Sequence, residues 1–343
     1  MKLLLLGEKC EPFIKTFEEG LDKSWIIERW QTKDGKNKLI DLYQETEIIV
    51  TAMDAMSGGN IFKYIPEAKN LKLVQIPFVG VDWLDTKFIP SSVMIANASG
   101  HEIAMAEYTI GVILSLALDL NRMDKTFRNG SWEDWPGNIQ TPSIHKEIYG
   151  KTLGIIGHGL IGKECAKRAK ALGMKVLGIN RQKRESLPSE LDWHGTSTDL
   201  DKVLSVSDYL LLACDLNKST FEMINKNNLF KMKKDSYLIN IARGNVCNEE
   251  DLFNHLSTNQ IAGAAIDTWW VYPYTNPKDS RPKPSDFPFH ELENVIMSPH
   301  NSSHTLESDI RRAEYMLENF KAFKKGIEVP GFVFYGTGVK QGI

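Results

Sequence analysis

One stretch constrains the fold of this chain more than any other: TLGIIGHGLIGKECAKRAKALGMKVLGIN, residues 152–180. A short apolar run, TLGIIG (152–157), leads into Gly157-His158-Gly159-Leu160-Ile161-Gly162. An amphipathic helical segment follows, then a second apolar run, KVLGIN (175–180). Strand, glycine turn, helix and strand make a βαβ unit, and such units build parallel sheets with crossover helices. Glycines at G-x-G-x-x-G spacing permit a tight turn, close approach of backbone to a pyrophosphate, and close packing of helix on strand. The helix start adds N–H groups that have no intrahelical partner. A glycine motif alone is a weak signal. Here the strand before it, the helix after it and the second strand supply the required context, so residues 157–162 are the expected cradle of a dinucleotide.

The same alternation runs along the rest of the chain. LLLLG (2–7), EIIVTA (47–52), LKLVQIP (71–77) and VMIANA (93–98) form a first series of expected strands. A long helix near 102–120 and a loop rich in Trp, Pro and Gly (129–143) separate it from a second series. That series continues past residue 180 with YLLLAC (209–214), SYLINIA (236–242), AGAAID (262–267) and NVIMSPH (294–300). TLESDIRRAEYMLENFKAF reads as a last helix, followed by a Gly-rich tail. With 343 residues the chain suits two domains of ordinary size.

A formal charge of -3 gives no reason to expect a nucleic acid or an anionic membrane as partner. The four cysteines, Cys10, Cys165, Cys214 and Cys247, are scattered without CxxC or metal spacing and read as reduced thiols of a cytoplasmic protein, with no metal site. MKLLLLGEK is too short for a signal-peptide core and reads as a buried strand. IAMAEYTIGVILSLALDL is interrupted by Glu107 and closed by Asp119, which favours a buried helix over a membrane span.

The end of the 175–180 strand sets cofactor preference. An acid there would accept hydrogen bonds from the adenosine ribose of NAD. This chain has INRQKRE instead: Asn180 is neutral, and Arg181, Lys183 and Arg184 supply cations suited to a 2′-phosphate. NADP is the favoured cofactor and NAD the alternative.

YGKTLGIIGHGLIGKECAKRAKALG, YLINIARGNVCNEEDLFNHL, AGAAIDTWW and ENVIMSPH, in this order, resemble the D-isomer-specific 2-hydroxyacid dehydrogenase family. LKLVQIPFVGVDWLD and ANASGHEIAMAEYTIGVILSL look like that family's substrate-domain motifs, so the resemblance covers almost the whole chain. It implies an α/β fold of two doubly wound Rossmann-like domains. A flavodoxin-like substrate domain takes 1–102 and 305–343, a dinucleotide-binding domain (103–304) is inserted in it, and the active site lies in the cleft. It also implies a homodimer, to which the long helix from Glu102 contributes.

Site residues follow from the resemblance and from the chemistry of oxidising a 2-hydroxy acid, which needs a cation for the carboxylate and a base for the hydroxyl proton. Arg243 matches the arginine that binds the carboxylate and polarises the carbonyl. His300 matches the general acid/base. Val79 and Gly80 match the loop whose N–H groups take the carboxylate, and Phe78 reads either as a pocket wall or as a core residue. His101 stands near where many relatives have a substrate-loop asparagine, and reads equally as a cap of the long helix. Cys214, Asp215, Leu216, Ile241, Ala242 and Asp267 fall on the cofactor side.

The pattern breaks at the histidine's partner. The family places a glutamate five residues after the match to Asp267, where its charge raises the histidine pKa and fixes the tautomer. Counting from Asp267 reaches Tyr272. A tyrosine can orient His300 but cannot pair with it as an ion. Alternatively, an acid of the following loop, Asp279, Asp286, Glu291 or Glu293, takes the glutamate's place. Trp269, Trp270 and Tyr272 read either as an apolar pocket wall or as packing. Two other functions remain open: a formate- or phosphite-type dehydrogenase, and a non-catalytic regulator that senses the nicotinamide pool, as the corepressors of this fold do.

Overall fold

A computed structural model of the chain describes residues 1–56, 61–137, 144–273 and 283–338. They fall into two compact units. Unit 1 holds Met1–His101, Tyr272, Pro273 and the segment from His304; unit 2 holds Glu102–Val271 and Lys283–Ser303.

In unit 1, strands β1 (Lys2–Leu6), β2 (Ile26–Trp30), β3 (Ile48–Thr51), β4 (Leu73–Gln75) and β5 (Met94–Ala96) run parallel in the order β2-β1-β3-β4-β5. That is the flavodoxin-like order. The period-2 geometry of β1 splits its leucines between two cores. Leu3 and Leu5 pack with Phe17 of helix α1 (Ile14–Gly20) and with Met316 and Phe320 of the C-terminal helix α9 (Leu306–Lys325). Leu4 and Leu6 pack on the other face with Leu39 and Tyr43 of helix α2 (Gly35–Tyr43). Thr305 starts α9 through a capping box with Ser308, and Gly326 ends it at φ 67°.

Unit 2 is an all-parallel sheet of β6 (Thr152–Ile156), β7 (Lys175–Asn180), β8 (Trp193–Thr196), β9 (Tyr209–Leu212), β10 (Tyr237–Asn240), β11 (Gly263–Ile266) and β12 (Val295–Met297). The order β12-β11-β10-β9-β6-β7-β8 reverses between β6 and β9. Open α/β sheets bind ligands beyond the carboxyl ends of their strands at such a reversal. Helix α3 (Glu102–Leu118) packs against helix α5 (Leu160–Ala171), burying Met105, Val112 and Ile113 with Cys165, Ala166 and Ala169. The expected two doubly wound α/β sheets are both present.

Two expectations about elements change. The helix expected near 102–120 ends at Leu118, and Asp119 at φ 54° turns the chain into α4 (Leu120–Arg128), bent by 60° from α3. The expected Gly-rich tail contains strand β13 (Phe332–Tyr335), antiparallel to β5. With β2 and β8 it is one of three edge strands that the apolar runs did not reveal. Edge strands are half-covered, so their sequences carry less apolar signal; Ile26 is 57% exposed. No single helix among the described residues is long and apolar enough to cross a membrane.

Candidate functional site

The three glycines of the turn after β6 have distinct physical reasons. Gly157 has φ 98°, and a Cβ there would lie 2.6 Å from the backbone of Ala213 and Cys214 beyond β9. A Cβ on Gly162 would lie 2.5 Å from the Gly157 carbonyl oxygen, so only glycine lets α5 start this close to the strand. A Cβ on Gly159 would meet nothing within 4 Å. The fold requires the first and third glycines; the second faces open space, which fits close approach of a pyrophosphate to backbone. Leu160 is exposed, Ile161 packs on the core, and α5 offers its first-turn N–H groups to an anion. These residues fit a dinucleotide.

At the end of β7, Asn180, Arg181, Gln182, Lys183 and Arg184 line an open depression of about 300 Å³. Asn180 Oδ1 is 3.0 Å from His194 Nε2 of β8. Arg184 reaches back to the glycine turn, donating to the His158 carbonyl at 2.6 Å. His158, in the glycine turn, points its ring inward, where it is 1% exposed. Its Nε2 lies 3.5 Å from Glu190 Oε1.

Burial, then the Arg184 charge, pushes the His158 imidazole down to about 4, so the ring is neutral at neutral pH. In the unfolded chain it titrates near about 6.5. Stability present above that value is therefore lost as pH falls toward about 4, at about 1.4 kcal/mol per pH unit. Chemical denaturation near about pH 7.5 and about pH 5 should show a fall of roughly 2 kcal/mol from this group. His158→Gln should remove that part of the fall; an undiminished fall in the variant contradicts the assignment.

Three further turns follow neighbouring strands of the same sheet. After β10, buried Asn240 shapes the Arg243 turn: its side chain donates to the Arg243 carbonyl at 3.0 Å and accepts from Ala242 N at 3.0 Å. Arg243 is half-buried and extended (φ -146°), and Ile241 and Ala242 are buried. A Cβ on Gly244 would lie 2.5 Å from the Trp269 carbonyl, so that glycine lets the segment after β11 press against the arginine turn. Asp267, after β11, is fully buried and accepts from Ser298 Oγ at 2.5 Å, Asn301 N at 2.8 Å and Ser302 N at 3.1 Å. His300, after β12, is half-buried at φ 55°. The left-handed region costs a non-glycine residue about 1–2 kcal/mol, so the surrounding bonds must hold it there.

Cys214, after β9, is half-buried, and burial pushes its thiol up to about 12, so it is neutral at neutral pH. Asp215 is exposed and Leu216 half-buried.

Of the two readings of the tryptophans, Trp269 takes packing within unit 2. That side chain is 5% exposed and donates to the Ser298 carbonyl at 2.8 Å. Trp270 stacks on Phe289 at 5.4 Å and donates to the Cys247 carbonyl at 3.1 Å. Tyr272 is half-buried. Of the loop acids, Asp279 lies outside the described residues. Asp286, Glu291 and Glu293 are exposed; Glu291 is 3.7 Å from His290 and Glu293 4.0 Å from Lys125.

In unit 1, Phe78, Val79 and Gly80 follow β4. Their carbonyls are held by neighbours: Asn97 donates to Val79 O at 3.0 Å and the Trp83 indole to Gly80 O at 3.1 Å. His101 is buried, with Nδ1 3.4 Å from Nε of buried Arg312. The Arg312 guanidinium also sits 5.1 Å from the Phe78 ring centroid. Arg312, Asn240, Ser298 and Tyr108 bear on these turns and were not singled out from sequence. Each owes its role to partners distant in the chain, and no local motif announces it.

Comparison with known proteins places the chain in a family. The sequence profile described as "D-isomer specific 2-hydroxyacid dehydrogenase, NAD binding domain" matches residues 110–302. A glyoxylate reductase of Korarchaeum cryptofilum is 30% identical over 321 residues, covering 91% of each chain. A hydroxypyruvate reductase of Thermotoga maritima is 31% identical, over 84% of this chain and 88% of its own. A D-isomer specific 2-hydroxyacid dehydrogenase family protein from Aeromonas salmonicida superposes with a TM-score of 0.80 at 25% identity, covering 97% of this chain and 98% of its own. With the glycine turn at the strand reversal and the motif order intact, the chain belongs to the D-isomer-specific 2-hydroxyacid dehydrogenase family, whose members are enzymes using a nicotinamide dinucleotide.

Proposed function

We propose that the protein is a cytoplasmic 2-oxoacid reductase that prefers NADPH and forms a D-2-hydroxy acid, with small substrates of the glyoxylate and hydroxypyruvate class. The observation that carries this reading is the common edge of the unit 2 sheet: the glycine turn, Arg243, Asp267 and His300 follow the carboxyl ends of β6, β10, β11 and β12. When bound, the nicotinamide supplies the hydride. Arg243 binds the substrate carboxylate and polarises the carbonyl, assisted by the N–H groups of Val79 and Gly80. His300 as imidazolium gives its proton to the carbonyl oxygen, and takes it back in the oxidation direction. Tyr272 stands in for the family's glutamate and orients the ring without adding a charge. The experiment is NADPH oxidation with glyoxylate, hydroxypyruvate, pyruvate and phenylpyruvate. Turnover with at least one supports the reading; tight NADPH binding with no turnover favours a regulator.

Preference for NADPH rests on Arg181 and Lys183 beside the depression at the end of β7. Arg184 is already committed to the His158 carbonyl. Arg181→Ala should therefore raise KM for NADPH about tenfold or more and leave NADH within about twofold, since the lost contact goes to the phosphate. Arg184→Ala should weaken both cofactors by similar factors. Equal loss of both in Arg181→Ala contradicts the assignment.

We also propose a homodimer. Phe127, Trp132 and Trp135 form an edge-to-face cluster with centroids 5.0 and 6.3 Å apart, yet remain 58%, 62% and 56% exposed. A second copy of the chain would cover them.

A further inference from the structure

We infer that Tyr108 and Ser298 are positioning residues for the turn that carries His300, acting through Asp267. The inference rests on the proposed role of His300 as general acid/base.

The sheet gives this turn little hold. Strand β12 is three residues long, and none of them is fully buried. The chain must nevertheless keep His300 at φ 55°. What grips it is the Asp267 carboxylate, whose three hydrogen bonds from Ser298, Asn301 and Ser302 bracket Pro299 and His300 on both sides. Ser298 is fixed in turn by its own backbone, N to Ile266 O at 3.0 Å, and by the Trp269 indole on its carbonyl. Its hydroxyl stands 2.7 Å from the Tyr108 hydroxyl.

The direction of this chain follows from proton count. A serine hydroxyl has one proton, and Ser298 gives it to a carboxylate that can only accept. Tyr108 must then be the donor to Ser298. Burial and the Asp267 charge both raise the Tyr108 phenol, so it keeps its proton across the working pH range. The order is Tyr108 O–H to Ser298 Oγ–H to Asp267. The anchor is on α3, which also packs against α5, the helix that opens at the glycine turn. One helix thus fixes both the proton-transfer turn and the helix behind the cofactor cradle.

A role confined to folding is separable from positioning. Tyr108→Phe deletes one oxygen and keeps the ring, and should lower kcat by about 3- to 10-fold, the weight of one hydrogen bond. NADPH binding and the thermal midpoint should change little. Ser298→Ala should lower kcat further, and Ser298→Thr should restore much of it. The decisive arm is a double-mutant cycle: Tyr108→Phe should have no effect on the residual rate of His300→Ala, because the ring it positions is gone. Wild-type kcat in Tyr108→Phe and Ser298→Ala overturns the inference. So does a loss of NADPH affinity matching the loss of kcat, or an equal effect of Tyr108→Phe in the His300→Ala background. Full activity of His300→Ala itself sinks the reading of His300, a separate result.

Discussion

Replacing His300 with alanine should lower kcat for 2-oxoacid reduction by about 100- to 10,000-fold, with NADPH affinity nearly unchanged. General acid catalysis by a placed side chain contributes about that much. The residue follows β12 in a left-handed turn pinned at both ends by buried Asp267. That effort makes sense for a ring whose direction matters, and the alanine variant removes the ring while leaving the pin. The same enzyme tests the Tyr272 reading through its pH–rate profile. A neutral partner adds no charge that would raise the histidine limb. A limb well above the free-imidazole value, about 6.5, points to a carboxylate partner and contradicts Tyr272. A small effect of His300→Ala on kcat would remove the histidine from the chemistry altogether.

Arg243→Ala is expected to cost about 2–4 kcal/mol of transition-state stabilisation, roughly 30- to 1,000-fold in kcat/KM. The loss should divide between KM and kcat, because the guanidinium both binds the carboxylate and draws charge from the carbonyl. Arg243→Lys should recover part of it, since a lysine restores the charge without the planar fork. A substrate analogue with an amide in place of the carboxylate supplies the control: the penalty for losing Arg243 should shrink sharply with it. An undiminished penalty would mean that Arg243 maintains the turn and does not meet the substrate. Asn240 and Gly244 shape that turn from the backbone, so the variant should retain its fold.

Much of this was legible in the sequence because the signals are local. The G-x-G-x-x-G turn declares itself through strand, turn and helix, and the structure gives each glycine a separate reason. Central strands such as β6 and β9 read as continuous apolar runs because both faces are covered. Edge strands β2, β8 and β13 did not read this way, for most of their residues are half-buried or exposed. The direction of the His158 ring was not legible: the motif shows that a side chain is present, but not whether it points outward or back toward Glu190. Trp269 and Trp270 were legible as aromatic mass, and their indole donors to Ser298 and Cys247 could be found only in three dimensions. Tyr108 is the extreme case. It lies 190 residues from Ser298 in sequence, inside a helix whose apolar pattern gives a tyrosine no special mark.

The central claim is hydride transfer from a reduced nicotinamide to the carbonyl carbon of a 2-oxo acid. Its most direct test is to incubate the protein with hydroxypyruvate and NADPH carrying deuterium at both C4 positions, then to analyse the product for configuration and isotope. The account predicts D-glycerate carrying one deuterium at C2. L-glycerate, glycerate without deuterium, or no product from any of the four oxo acids despite saturable NADPH binding would contradict it.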